Sequence, residues 1–188
     1  TNNEEIDAEL KDCGIPVVAV DRRINADGEL AFVEADHYEG KVGSQTSDPV
    51  WMRNIVNISG PQKYSSARDR YRGYVDTCKQ YGREVQNLEC EYSFDQGQLV
   101  AEEILNRYPA VDGIISCNDM VAISVFKVLD VTDIDSGGVQ IIGFDNVALA
   151  HLITPELTTI RQPIADMEDA GTVHYQLRNR RQSNAGKI

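Results

Sequence analysis

The sequence lacks several features that mark large classes of proteins. No apolar run in its 188 residues approaches the length of roughly 20 residues that a membrane-spanning helix needs. Its four cysteines form no CxxC pair, and together with three scattered histidines they give no metal-ligand spacing. No GxGxxG turn follows a predicted strand, and no Ser–His–Asp order is visible. We therefore predict a protein that is not an enzyme and that uses no cofactor or metal.

Basic residues are also few. Eighteen Lys and Arg face 30 Asp and Glu, which gives a net charge of −12. That balance argues against this chain gripping a phosphate backbone itself. A hydrophobic content of 41% and a charged content of 26% are ordinary for a soluble globular protein. The widely spaced cysteines favour reduced thiols in a cytoplasmic protein, and a disulfide stays open as the alternative.

Strand-like and helix-like segments alternate along the chain. Apolar, β-branched runs predict strands at residues 15–20, 30–33, 54–60, 84–92, 111–117, 139–146 and 157–163. Amphipathic periodicity predicts helices at residues 4–14, 66–81, 96–107, 119–129 and 164–181. Residues 37–53 predict a short or interrupted helix and a loop. This alternation predicts an α/β fold with a doubly wound parallel sheet.

Three of the predicted helices carry expectations about their faces. The helix at 66–81 should bury Tyr71, Tyr74, Val75 and Cys78. The helix at 96–107 should bury Leu99, Ile104 and Leu105. Residues 120–129 are apolar nearly all round, interrupted only by Ser124 and Lys127. A second apolar face needs a second partner, which is either a helix of the same lobe or a copy of this helix in a homodimer, with Phe126 on a candidate contact side.

Polar side chains follow the predicted strands at the points where the strands end. The carboxyl ends of parallel strands share one edge of the sheet, where ligands bind in this class of fold. Carboxylates, guanidinium groups, amides, a hydroxyl and an aromatic face suit a small polyol such as a sugar. Asp145 could equally be an ordinary turn residue, and Asn118 an N-cap. The candidate ligand-binding residues are Asp21, Arg22, Ser66, Arg70, Tyr92, Asn118, Asp145 and Gln162.

Six segments carry a resemblance to a known family. Residues 14–22, 35–40, 66–74, 112–120, 142–146 and 155–163 resemble the effector-binding domain of lactose/galactose-repressor-type (LacI/GalR) transcriptional regulators. That domain shares its fold with periplasmic sugar-binding proteins of the ribose type. The resemblance places the candidate residues on sugar-contacting positions, with Tyr92 where Phe or Trp is usual and Ser66 at a hydroxyl contact of the repressors.

The resemblance implies two discontinuous lobes with a ligand in the cleft between them. One lobe would comprise residues 1–36 and 159–188, and the other residues 37–158. It also implies allosteric control of operator DNA by a sugar or sugar-phosphate effector, in a cytoplasmic homodimer. The helix-turn-helix of these repressors is absent, so the chain is expected to be a fragment. Residues 44–53 lack the usual helix, and the loop before Gly138 lacks the usual Pro-x-Asp.

One alternative uses the same pocket. A free-standing extracytoplasmic sugar-binding protein of an uptake system would have the same lobes and the same ligand contacts. The cysteines, which are expected to be reduced, and the sequence of residues 157–163 favour the regulator.

Overall fold

The computed structural model describes residues 17–21, 31–38, 52–131 and 138–185. Arg22, the helix predicted at 4–14 and the segment 39–51 lie outside the described residues. The chain divides into two compact units, residues 1–36 with 163–188, and residues 37–162. The lobe boundary predicted from the sequence lies between residues 158 and 159, and the second of these units ends at Gln162.

Seven strands and four helices follow one another along the described residues. All seven predicted strands, and the four helices predicted beyond residue 65, are present. In chain order they are β1 (Val18–Val20), β2 (Ala31–Val33), β3 (Ile55–Ser59), α1 (Ser65–Gln80), β4 (Gln86–Glu89), α2 (Phe94–Arg107), β5 (Gly113–Ser116), α3 (Asp119–Val131), β6 (Gln140–Asp145), a 3₁₀ turn (Ala148–His151), β7 (Thr158–Arg161) and α4 (Ile164–Ala185).

The described part of the first unit is small. β1 and β2 pair in parallel, with Val18 opposite Ala31. α4 packs on both strands, and its Gly171 lies against the Val20 side chain. This is the strand-and-helix arrangement of a parallel α/β unit.

The second unit is built on a five-stranded sheet in the order β4-β3-β5-β6-β7. Every neighbouring pair is parallel, and Val56 lies opposite both Gln86 and Ile114. The carboxyl ends of all five strands therefore share one edge. The predicted parallel α/β class is confirmed.

The helices cover this sheet on two faces. α2 and α3 pack together on one face, where Val56, Ile58 and Ile114 form the main core with Ile104 and Val125. α1 covers the other face through Tyr74 and Cys78, as predicted, with Tyr71 and Val75 partly buried beside them.

One expectation about helix faces was wrong, and one of the two alternatives for α3 is met. Leu99 is 58% exposed, because α2 turns Gly97, Val100 and Ala101 toward its neighbours instead. The second apolar face of α3 is covered within the unit, where Ala122 and Ile123 pack against Ala150 and Leu157. A partner within the same unit, one of the two alternatives for this face, is thus present for Ala122 and Ile123. Phe126 is only partly buried, and the homodimer stays a prediction.

Candidate functional site

An arginine is held at the carboxyl edge of the second unit's sheet. Arg70 is half-buried on α1 and donates hydrogen bonds from Nη1 to the Cys117 carbonyl (2.9 Å) and from Nε to the Ser66 carbonyl (3.3 Å). Its Nη2 lies 3.4 Å from the Tyr92 hydroxyl. The guanidinium carbon sits 4.4 Å from the centre of the Phe144 ring, a cation–π contact. These contacts fix the orientation of the positive charge.

Tyr92 lies beside this arginine in a constrained position. Its ring stacks on Tyr64, with centroids 6.0 Å apart and planes 25° apart. The ring also passes over Gly60 so closely that a Cβ there would overlap it. Burial raises the pKa of Tyr92 to about 12, against an opposing effect of Arg70 and with smaller contributions from Cys117 and Asp145 in the same direction. At neutral pH the hydroxyl is therefore neutral and can both donate and accept.

A carboxylate and an amide meet where the two neighbouring strands β6 and β7 end. Gln162 Nε2 donates to Asp145 Oδ1 at 2.5 Å. Asp145 has φ = 118° and Asn146 has φ = 60°, conformations that L-residues rarely adopt and that cluster at functional sites. The Gln162 Oε1 atom is buried and accepts no hydrogen bond from the described residues. A buried acceptor of this kind is stabilised by a donor such as a hydroxyl group.

The remaining candidates differ in what the structure shows of them. Asn118 Oδ1 accepts from the Val121 N–H at 2.8 Å, so the N-cap alternative is confirmed for this residue. Ser66 lies in the first turn of α1, one turn before Arg70. Asp21 follows β1 in the first unit with φ = 56°, and its N–H donates to the Val33 carbonyl. Arg22 is outside the described residues. Among the candidates in the second unit, Arg70 thus lies beside Tyr92 and Asp145 beside Gln162, and Ser66 and Asn118 belong to the same unit.

A pocket lies between α1 and the sheet at this edge. Arg70 and Phe144 line it together with Asn57 and Ser59, two buried polar residues of β3. Asn57 Nδ2 donates to Asn87 Oδ1 at 2.7 Å, and Asn87 Nδ2 donates to Ser59 Oγ at 3.2 Å. The sequence analysis missed these residues. Their signal was two polar residues at alternate positions in an otherwise apolar strand.

A buried carboxylate was also missed. Asp119 is the first residue of α3 and is fully buried, with hydrogen bonds to Val147 and Thr159. The sequence pattern had indicated the preceding residue, Asn118, as the one at the strand end. The available signal was a glycine in β6, Gly143, whose missing side chain leaves the space that Asp119 fills.

The described ranges show neither of two other features. They contain no helix with the length and hydropathy that a bilayer crossing requires. Within them, no three His, Cys, Asp or Glu side chains gather in a way that could hold a metal ion.

A family model described as "Periplasmic binding protein domain" matches residues 3–151, most of the chain. The chain belongs to this family. The parallel sheet, with its polar residues at the carboxyl edge, is the periplasmic-binding-protein arrangement that the sequence motifs indicated.

Two curated relatives of this periplasmic-binding-protein chain are ribose operon repressors. The ribose operon repressor of Halalkalibacterium halodurans is 29% identical over 171 residues, which cover 87% of this chain and 50% of the relative. That of Bacillus subtilis is 32% identical over 170 residues, covering 89% and 51%. The chain spans about half the length of the curated relatives it matches.

A solved structure extends this relationship to three dimensions. A LacI family transcriptional regulator from Enterococcus faecalis with bound ribose superposes with a TM-score of 0.81 at 25% identity, covering 96% of this chain and 66% of that one. The resemblance to LacI-type effector domains, which the sequence motifs had indicated, is therefore confirmed.

Proposed function

We propose that this chain is the sugar-sensing part of a LacI-type transcriptional repressor and that its effector is a pentose, with ribose the first candidate. The observation that carries the proposal is the Asp145–Gln162 pair, set close to Arg70 and Tyr92, in which the buried Gln162 Oε1 accepts no hydrogen bond from any residue that the structure describes. Carboxylate and amide oxygens accept from hydroxyl groups, while a fixed guanidinium donates to sugar oxygens. Two ribose operon repressors among the relatives support this choice of ligand class.

Each residue of the proposed site has a distinct part. Asp145 and Gln162 Oε1 accept hydrogen bonds from neighbouring hydroxyls, and Arg70 donates to another oxygen of the ring. The Tyr92 face packs against the sugar's C–H groups. Ser66 and Asn118 border the site in the second unit. On the family resemblance, we propose Asp21 and Arg22 as further ligand-binding residues. The two units correspond, in this proposal, to the two lobes of the effector domain.

We further propose two partners, operator DNA and a second copy of the protein. Sugar binding would change operator affinity through a DNA-binding segment, in a cytoplasmic homodimer that matches two half-sites. Phe126 of α3, which is partly exposed, stays a candidate contact of that dimer. No catalytic step is proposed. The repressor relatives support this reading over a free-standing uptake protein.

The direct test is isothermal titration calorimetry of the intact protein with a panel of ribose, xylose, glucose and sucrose. Ribose should bind more tightly than the other sugars. A parallel electrophoretic mobility-shift assay with operator DNA should show that the binding sugar changes DNA affinity. Absence of binding by every pentose in the panel would reject the proposed ligand class.

A further inference from the structure

We propose that Asp119 is a positioning residue, which fixes Asp145 and Gln162 in their ligand-binding geometry without touching the ligand. The inference rests on the proposed function, since it concerns the same site. It starts from the burial of Asp119. The residue is 0% exposed at the start of α3, and a buried carboxylate is costly unless hydrogen bonds satisfy it.

Both oxygens of this carboxylate accept hydrogen bonds from elements distant in the chain. Thr159 Oγ1, on β7, donates to Oδ1 at 2.5 Å. The backbone N–H of Val147, after β6, donates to Oδ2 at 2.8 Å. Hydrogen bonds to an ionised acceptor are stronger than those between neutral groups. Asp119 therefore ties α3, β7 and the segment after β6 to one another.

The segment that Asp119 holds is the strained one. Asp145 and Asn146 both have positive φ, and such conformations persist only where the surroundings determine them. The Asn146 N–H donates to the Thr159 hydroxyl at 3.2 Å, so Thr159 relays the anchor from Asp119 to the turn itself. Asn146 and Val147 are thus held in succession by a single network.

The fold leaves space for this carboxylate and for little else. A Cβ at Gly143 would overlap Asp119 Oδ1 and crowd Leu157. The β6 backbone therefore approaches the carboxylate as closely as glycine allows, two residues before Asp145. An acidic residue in the first turn of a helix also interacts favourably with the helix dipole. That interaction needs neither burial nor a contact with β7.

The consequence concerns two strand ends at once. Val147 follows Asp145 by two residues, and Thr159 precedes Gln162 by three. By anchoring both, Asp119 sets the separation of the Asp145 and Gln162 side chains, which meet at 2.5 Å. Loss of the network should let the two strand ends move apart and weaken ligand binding more than it weakens the fold.

The test compares variants that keep side-chain shape. Thr159→Val deletes the hydroxyl, Thr159→Ser restores it, and Ile104→Val trims the core between α2 and the sheet. In calorimetry of the intact protein with ribose, Thr159→Val should raise Kd about tenfold, and Thr159→Ser should stay within about twofold of the parent. Ile104→Val should lower Tm without changing Kd. A parent-like Kd for Thr159→Val would overturn the proposal. So would a Kd for Thr159→Ser that is raised as much as that of Thr159→Val.

Hydrogen exchange gives a readout that needs no ligand. In the sugar-free protein, the amides of Asn146 and Val147 should exchange faster in Thr159→Val and in Asp119→Asn than in the parent, and Ile104→Val should leave them unchanged. Unchanged exchange in both network variants would overturn the positioning role. Faster exchange in a protein that binds none of the tested sugars would instead support that role and reject the proposed function, so the two failures are distinguishable.

Discussion

The two faces of the second unit's sheet bury different kinds of residue. Toward α2 and α3 the sheet presents Val56, Ile58 and Ile114, all at most 1% exposed, and the packing there is continuous and apolar. Toward α1 the same strand β3 presents Ile55 followed by Asn57 and Ser59, whose polar groups are paired in a small network. The apolar character of the α1 face thus gives way toward the carboxyl edge.

This difference separates stability from recognition. The α2–α3 face is stabilised mainly by apolar burial, roughly 25 cal/mol for each Å² of apolar surface removed from water. The α1 face ends in the pocket that holds Arg70, where a pre-positioned charge matters more than burial. Substitutions on the first face should therefore change the free energy of unfolding, and substitutions at the edge of the second should change ligand affinity. Four predictions test that division.

The largest effect is expected in the apolar core. Ile114→Ala should lower the free energy of unfolding by about 2–5 kcal/mol, because it leaves a cavity among residues that cannot fully collapse. Urea unfolding followed by circular dichroism measures the loss. Leu99→Ala is the matched control and should have little effect, since Leu99 is exposed. Equal losses in the two variants would show that the core is not where the structure places it.

The next effect is on the ligand. Asp145→Ala and Arg70→Ala should each weaken ribose binding by about 2–4 kcal/mol, because each leaves a hydrogen-bonding partner unpaired. The controls are Asp95→Ala and Arg68→Ala, which remove the same side-chain types from exposed positions. Calorimetry of all four against the parent checks the assignment. Undiminished binding by both site variants would remove these two residues from the site.

A smaller effect is expected from crowding Tyr92. Gly60→Ala places a Cβ where the Tyr92 ring lies, so the ring must leave its stack on Tyr64. The Kd for ribose should rise about tenfold, which corresponds to the loss of about 1.4 kcal/mol of ring contact. The same substitution in a Tyr92→Ala background should add little. A full additive effect in that background would mean that Gly60 acts through another contact.

The smallest effect concerns alkaline pH. The folded-state pKa of Tyr92 is about 12, above its ordinary value of 10.0, because burial disfavours the charged form. The neutral hydroxyl therefore contributes stability that is fully present below pH 10 and is lost as pH rises toward 12. Tyr92→Phe should make the decline of the urea midpoint over this range shallower. The exposed Tyr81→Phe should leave the decline as it is in the parent.

Much of the fold could be predicted because it is encoded locally. The spacing of Tyr71, Tyr74 and Cys78 identified both α1 and its buried face, since one helix packing on one sheet gives a single apolar stripe. The strands likewise followed from apolar runs. The predicted burial of Leu99 was wrong because α2 packs on α3 as well as on the sheet. Periodicity alone cannot say which of two neighbouring stripes faces the tighter contact, and here Gly97 lies against Ser124.

Other features depend on segments far apart in the chain. The cover over Ala122 and Ile123 comes from Ala150 and Leu157, and a copy of α3 fitted the same sequence pattern equally well. Strand ends located Arg70, Tyr92, Asp145 and Gln162 as neighbours, because parallel topology carries them to one edge. Asp119 could not be found in this way. Its role arises from the meeting of α3 with Thr159, which only the folded chain brings about.

We expect the carboxyl edge of the second unit to bind a pentose through Asp145 and Arg70. A crystal structure of the intact protein with ribose tests it most directly. Sugar hydroxyls should lie within about 3 Å of the Asp145 carboxylate and of the Arg70 guanidinium, the ordinary range of hydrogen bonds. A further hydroxyl should donate to Gln162 Oε1. Ribose bound elsewhere, or bound at this edge without contact to either charged group, would contradict it.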